Sequence, residues 1–279
     1  MRENPIAVFD SGLGGLSVVR HLRRLMPDEN IVYFGDTARV PYGTKSARTV
    51  ATFALESARF LLSFEPKLVV AACNTASALA LDDLERELPT PVLGVVIPGA
   101  AAAVRAAAGR PIGVLGTEAT IRSGAYERAI SELRPETRVI AQACPLFVPL
   151  VEEGRSADDP IVRAVATEYL RPVREQNVGV VVLGCTHYPM LRDAVEREMG
   201  PGVAIIDSGE ETSRVARQTL VEMDALAIDS PPASLRCFVS DNPGRFRGVG
   251  SRFLQEEIEQ IEFVPPERYI ATAEETPPR

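Results

Sequence analysis

Cys73 and Cys185 sit in one repeated frame, Val69-Val70-Ala71-Ala72-Cys73-Asn74-Thr75 and Val181-Val182-Leu183-Gly184-Cys185-Thr186-His187. Each frame closes an apolar run and opens a polar turn, so two such thiols can face one substrate from opposite sides. One sulfur could then take a proton from a carbon stereocentre while the other returns a proton to the far face, which inverts configuration without a cofactor. A free thiol of pKa near 8.5 is only about 3% ionised at pH 7, a cost of roughly 2 kcal/mol for the reactive form. Neighbours must lower that cost or accept the proton. Thr75 and Thr186 follow the two cysteines closely, helix-start amides would stabilise a thiolate, and His187 could serve Cys185 as proton partner or orienter. Positioned acid and base groups supply about 10²–10⁴-fold each, so a weakly acidic Cα–H also demands orientation and electrostatic stabilisation.

The frames belong to a longer duplication. Ala76-Ser77-Ala78-Leu79 follows the first cysteine turn and Tyr188-Pro189-Met190-Leu191 the second, which reads as strand, turn and helix start in each half. Upstream, Pro5-Ile6-Ala7-Val8-Phe9-Asp10-Ser11 aligns with Pro111-Ile112-Gly113-Val114-Leu115-Gly116-Thr117, and Val40-Pro41 has a loose counterpart in Val148-Pro149. A repeat about a hundred residues long is too large for a solenoid unit and suits two related lobes.

Short β-branched runs alternate with longer amphipathic ones, the pattern of βα units around parallel sheets. The expected strands are 5–9, 31–35, 67–72, 92–95, 111–115, 137–141, 178–183, 203–206 and 235–239. Helices are expected near 14–26, 46–64, 76–87, 98–108, 120–133, 158–176, 188–198 and 210–224, with a helix or strand near 250–264. Pro98-Gly99 marks the crossing into the second lobe and 207–211 the return. The fold expected is therefore α/β, with two pseudo-symmetric lobes of largely parallel sheets flanked by helices and the active site between them. Residues 1–97 plus 211–279 would form the first lobe and 98–210 the second; Thr272 to Arg279 reads as a frayed tail. Ligands of open parallel sheets sit beyond the carboxyl ends of the strands, where Asp10, Asp36, Cys73, Thr117 and Cys185 all fall.

Composition narrows the function. A chain of 279 residues, 46% hydrophobic, can bury a sizeable core. It has no run of eighteen apolar residues, and Met1-Arg2-Glu3-Asn4-Pro5 leads straight into a strand, so a cytoplasmic protein without a membrane segment is expected. Four cysteines, Cys73, Cys144, Cys185 and Cys237, lack the density of a disulfide framework and read as free thiols, the second and fourth structural. A net charge of −8 opposes a general nucleic-acid surface. Arg20, Arg23 and Arg24 around His21 read as a solvated helix face, and neither Lys45 nor Lys67 sits where a Schiff-base lysine would be made. Gly12-Leu13-Gly14-Gly15 lacks the third glycine of a dinucleotide fingerprint, where Ser17 stands. Two histidines without a close ligand set predict no metal.

Four ordered motifs, Asp10-Ser11-Gly12-Leu13-Gly14-Gly15, Gly35-Asp36-Thr37-Ala38-Arg39-Val40-Pro41-Tyr42-Gly43, Ala72-Cys73-Asn74-Thr75-Ala76-Ser77 and Gly184-Cys185-Thr186-His187-Tyr188-Pro189, resemble glutamate racemase of the aspartate/glutamate racemase family. The resemblance runs from about residue 5 to at least 214 and includes Ile206-Asp207-Ser208. It implies a cofactor-independent isomerase that interconverts L- and D-glutamate, with Cys73 acting on the D-enantiomer and Cys185 on the L-enantiomer. It further implies that Asp10, His187 and Glu152 assist, and that Asp10, Ser11, Pro41, Tyr42, Gly43, Asn74, Thr75, Thr117, Thr186 and His187 bind the substrate. A cytoplasmic homodimer supplying D-glutamate for peptidoglycan, and hence for cell-wall biogenesis and cell shape, is the setting the family implies. The alternatives are an aspartate racemase or related two-cysteine enzyme, and a noncatalytic amino-acid-binding protein with the same lobes.

Overall fold

The computed structural model describes residues 2–228 and 233–270. Its strands are β1 (Ile6–Asp10), β2 (Ile31–Gly35), β3 (Leu68–Ala71), β4 (Val92–Gly94), β5 (Ile112–Gly116), β6 (Val139–Ala143), β7 (Val180–Gly184), β8 (Ala204–Asp207), β9 (Leu235–Val239) and β10 (Gln260–Phe263). The helices are α1 (Leu16–Leu25), α2 (Ala47–Leu62), α3 (Asn74–Glu87), α4 (Val96–Ala106), α5 (Glu118–Ser123), α6 (Ala125–Leu133), α7 (Phe147–Glu152), α8 (Pro160–Arg174), α9 (Arg192–Met199), α10 (Ser208–Glu222) and α11 (Pro243–Leu254). Every expected strand forms within two residues of its expected bounds. The tail beyond Ile270 lies outside the described residues.

Two parallel sheets result, one ordered β10-β9-β2-β1-β3-β4 and the other β6-β5-β7-β8. The duplication read from the frames is now topological, since β2-β1-β3-β4 and β6-β5-β7-β8 carry their strands in the same relative order. Strands buried on both faces explain the unbroken Val/Ile runs. In β1, Ile6 and Val8 enter one core while Ala7 and Phe9 enter another; in β7, Val181 and Leu183 separate in the same way from Val180 and Val182. The Ile6 core also holds Leu115, Phe147, Leu183 and Phe253, so one continuous apolar mass joins the lobes. Helices α2 and α3 cover the first sheet, α4 covers the second, and α10 packs against α1 and α4.

Three helical expectations need correction. The stretch 120–133 is two helices, because Gly124 adopts φ +66° and ends α5 before α6 begins. The stretch 188–198 opens as a 3₁₀ turn over Tyr188–Leu191, with Pro189 in its first turn, before α9 starts at Arg192. The ambiguous 250–264 region splits into the end of α11 and β10. Helix α11 starts earlier than its apolar pattern suggested, because three glycines dilute that pattern while Asn242 caps Arg245 N and Pro243 occupies the first turn.

Candidate active site

A cavity of about 330 Å³ opens at the carboxyl ends of both sheets, and both sulfurs line it. From the first sheet come Ser11 after β1, Val40 to Thr44 after β2, and Cys73, Asn74 and Thr75 after β3. From the second come Thr117 and Glu118 after β5, Pro145, Val148, Pro149 and Glu152 after β6, and Cys185, Thr186 and His187 after β7. Equivalent strands thus supply equivalent walls, and Val40-Pro41 and Val148-Pro149, the loose pair of the repeat, face the same space.

Cys73 caps the amino end of α3 and is almost fully buried. Burial, and then the charge of Asp10, push its thiol up to about 11, against the opposing pull of the Ala76 N–H and of Ser11. At pH 7 its ionisation therefore costs about 5 kcal/mol, and the thiol is the resting form. Its Sγ donates to Ser11 Oγ at 3.7 Å, and Ser11 Oγ donates to Asp10 Oδ2 at 3.3 Å. Asp10 also accepts from Gly15 N at 2.7 Å and from Thr186 Oγ1 at 3.4 Å, and burial raises its pKa. Asp10 stands behind the lining residues, so it reaches the cavity through Ser11 and Thr186.

Cys185 is built differently. Burial pushes its thiol up strongly, and the His187 N–H pulls the other way. His187 Nδ1 lies 4.0 Å from Sγ, and its Nε2 lies 3.1 Å from Glu152 Oε1. Glu152 is held below the usual carboxylate range, first by the His187 hydrogen bond and then by Arg245, which together outweigh its burial. It is partly buried and paired with both His187 and Arg245. Each thiol thus has a carboxylate behind it, through a hydroxyl on one face and an imidazole on the other. Gly14 permits this arrangement, since a Cβ there would stand 2.3 Å from Thr186 Oγ1 and 2.5 Å from His187 Nδ1. The glycine turn serves close packing between lobes.

Among the described residues no lysine or arginine lines the cavity, and its hydroxyl and amide donors are uncharged. Thr75, Thr117 and Thr120 form a hydroxyl triangle with edges of 2.9, 3.2 and 2.9 Å, joining α3 to α5. Those hydroxyls and the amino end of α3 suit carboxylates. Asn74 donates to Tyr126 Oη at 2.9 Å and Ser208 Oγ at 3.2 Å, while its buried Oδ1 has no partner. An ammonium group would satisfy that acceptor. Pro41 and Gly43 line the wall beside Tyr42, whose hydroxyl donates to buried Asp36 at 2.6 Å. Among the described residues no group of three or more His, Cys, Asp or Glu side chains is placed to hold a metal ion.

Other residues fall elsewhere. His21 is buried, with Nε2 3.1 Å from Asp207 Oδ2, which corrects its reading as a surface residue; the arginines around it hid a contact made 186 positions away. Lys67 is buried 2.5 Å from Glu29 and donates to the Arg2 and Ala225 carbonyls, away from the cavity. Cys144 and Cys237 are buried outside the cavity lining. Thr120, Tyr126 and Arg245 were not legible as site residues, since they lie outside the four motifs and reach the site only by folding, and Ser208, within the Ile206-Asp207-Ser208 match, carried no site role there.

Residues 15–216 match the Asp/Glu/hydantoin racemase family. The chain is 48% identical over 249 residues to the glutamate racemase of Geobacter metallireducens, covering 89% of this chain and 92% of the relative. It superposes on glutamate racemase isoform RacE1 from Bacillus anthracis with a TM-score of 0.91 at 38% identity, over 95% of this chain and 98% of the other. Glutamate racemase from Francisella tularensis, solved with D-glutamate, gives 0.90 at 38% identity, over 96% and 100% of the two chains. This chain belongs to the Asp/Glu/hydantoin racemase family, among its glutamate racemases.

Proposed function

We propose that the protein interconverts L- and D-glutamate by proton transfer at Cα, with Cys185 facing the L-enantiomer and Cys73 the D-enantiomer. The observation that carries this reading is the placement of both buried thiols on one small cavity, one from each sheet. With L-glutamate bound, Cys185 gives up its proton toward His187 and its thiolate takes the Cα proton. Cys73 then delivers its own proton to the opposite face, and Ser11 can turn its hydroxyl toward the thiolate left behind. The Asp10 charge, which disfavours that thiolate, promotes its reprotonation from solvent as His187 gives its proton back. The reverse direction exchanges the two roles.

The thiols begin far above neutrality, so the substrate must help. An incoming α-ammonium favours the thiolate by opposite charge, and the Asn74 Oδ1 acceptor suits it. The threonine hydroxyls and the amino end of α3 orient the carboxylates and stabilise negative charge developing next to the α-carboxylate. A cytoplasmic homodimer supplying D-glutamate to peptidoglycan assembly completes the reading, and it rests on family resemblance. No helix among the described residues is long and apolar enough to cross a membrane.

Chiral chromatography after incubation with L-glutamate, with no added cofactor, tests the proposal. Progress to equal amounts of the two enantiomers is expected. Conversion of L-aspartate in place of L-glutamate would move the substrate, and binding of either without conversion would favour a noncatalytic binding protein.

A further inference from the structure

Helix α11 follows β9 of the first sheet yet presses on the cysteine turn of the second. Arg245 Nη2 donates to Glu152 Oε2 at 3.0 Å, while the other oxygen of that carboxylate lies 3.1 Å from His187 Nε2. Two turns further on, Phe253 meets the His187 ring edge-on, with centroids 5.1 Å apart and planes at 77°. Beside it Arg252 donates to the Val151 carbonyl at 3.3 Å, one residue before Glu152. Residues seven and eight apart fall close together on a helix face, so one face of α11 holds both the imidazole and the carboxylate that binds it.

We propose that Arg245 is a positioning residue for the Cys185 half-reaction, acting through Glu152 and His187, with α11 as the element that sets this side of the site. The proposal rests on the reading that Cys185 exchanges protons with glutamate. When Cys185 loses its proton to His187 Nδ1, the imidazole becomes a cation whose Nε2–H donates to Glu152 Oε1. Glu152 must then be ionised and turned toward the ring. Arg245 does both from the far oxygen, by hydrogen bond and by charge, and no proton passes through it. Ser11 and Asp10 stand behind Cys73 within the first lobe, whereas Cys185 depends on a residue reaching across from the other lobe.

The charged and titratable groups around Glu152 are His187 on the turn after β7, Arg245 on α11, Asp241 on the loop before it, Glu118 on α5 across the same cavity, and Arg252 at the adjoining carbonyl. Cys185 faces His187 from its Nδ1 side, and Asp10 acts on that imidazole by charge. Of these, Arg245 and His187 hold the carboxylate in its ionised form, so removing Arg245 raises the pH at which Glu152 is protonated.

The test measures kcat/KM against pH for the full chain, for Arg245→Ala, Arg245→Lys and Glu152→Gln, and for Arg245→Ala combined with Glu152→Gln. The Arg245 side chain is 55% exposed, so its loss leaves the core intact. Arg245→Ala is expected to lose about tenfold, the scale of one hydrogen bond to a charged group. The loss is equal for both enantiomers, because mirror-image substrates have the same free energy and neither direction can be slowed alone in kcat/KM. Its acid limb moves to higher pH, Arg245→Lys recovers part of both changes, and Arg245→Ala adds nothing in the Glu152→Gln background. A second tenfold loss in that background, or an unmoved acid limb with activity falling only as melting temperature falls, overturns the proposal. Racemisation by the unmodified chain without this coupling sinks the role of Arg245 alone, whereas no racemisation at all sinks the functional reading with it.

Discussion

The Cys73 thiol donates to the Ser11 hydroxyl at 3.7 Å, and that hydroxyl donates to the Asp10 carboxylate at 3.3 Å. Across the cavity the corresponding link from Cys185 passes through His187 to Glu152. The two lobes share one strand order but draw their bridging groups from different turns, Ser11 after β1 and His187 after β7. A serine oxygen can relay and stabilise but holds no extra proton at neutral pH, whereas an imidazole can. The pH dependence of kcat can therefore differ between the two directions, while kcat/KM, tied by an equilibrium constant of one, follows the same profile in both.

Ser11→Ala cuts the first link and leaves Asp10 bound to Gly15 N. Activity with either enantiomer is expected to fall roughly ten- to a hundredfold in kcat/KM, with the fold intact. Steady-state assays in both directions measure it. A variant as active as the parent removes Ser11 from the proton path.

Gly14→Ala places a methyl group where Thr186 and His187 stand. One side must yield, at a cost of about 1–3 kcal/mol if the backbone shifts. Turnover is expected to fall by about a hundredfold or more, because displaced catalytic groups lose alignment. Thermal melts read beside kcat separate the two effects; unchanged turnover would mean that this turn adapts freely.

Asn74→Ala removes the unpartnered acceptor and the donors to Tyr126 and Ser208. KM for glutamate is expected to rise by about tenfold, the size of a lost hydrogen bond to an ammonium. Tyr126 and Ser208 can still pair with each other, so melting temperature should drop only modestly. A fall in kcat at constant KM would assign Asn74 to the transition state instead.

Alkaline pH should destabilise the protein through its thiols. Burial raises all four above the ordinary thiol value, Cys73 to about 11 and Cys237 to about 12. The unfolded chain releases these protons first, so the stability they contribute is complete below pH 9 and is lost as pH climbs toward the folded values. Each thiol contributes a slope of about 1.4 kcal/mol per pH unit in that window. Melting temperature should fall steeply from pH 9, and Cys237→Ala should flatten the decline between pH 9 and 10, before the buried tyrosines join. A level profile across that range contradicts the burial of these groups.

Much of the site was legible because its parts are local. A strand, a cysteine and a helix start make one continuous frame, and its recurrence at Cys185 exposed the duplication. Burial on both faces of each parallel strand left the Val/Ile runs that placed β1, β3, β5 and β7. His21 was misread because its partner Asp207 lies on another lobe and leaves no periodic trace on α1. Arg245 was missed for the same reason, sitting in a glycine-rich stretch 93 positions from Glu152. Asp10 looked like a wall of the site but stands behind Ser11, a distinction of depth that strand-end position alone does not carry.

Proton NMR of L-glutamate in heavy water, run with the unmodified chain and with Cys73→Ala and Cys185→Ala, shows whether both thiols move protons at Cα. Solvent deuterium at Cα and formation of D-glutamate are expected with the unmodified chain, and no D-glutamate with either variant, because each face needs its own sulfur. A single-cysteine variant that still forms D-glutamate at a rate near that of the parent would contradict the two-thiol mechanism.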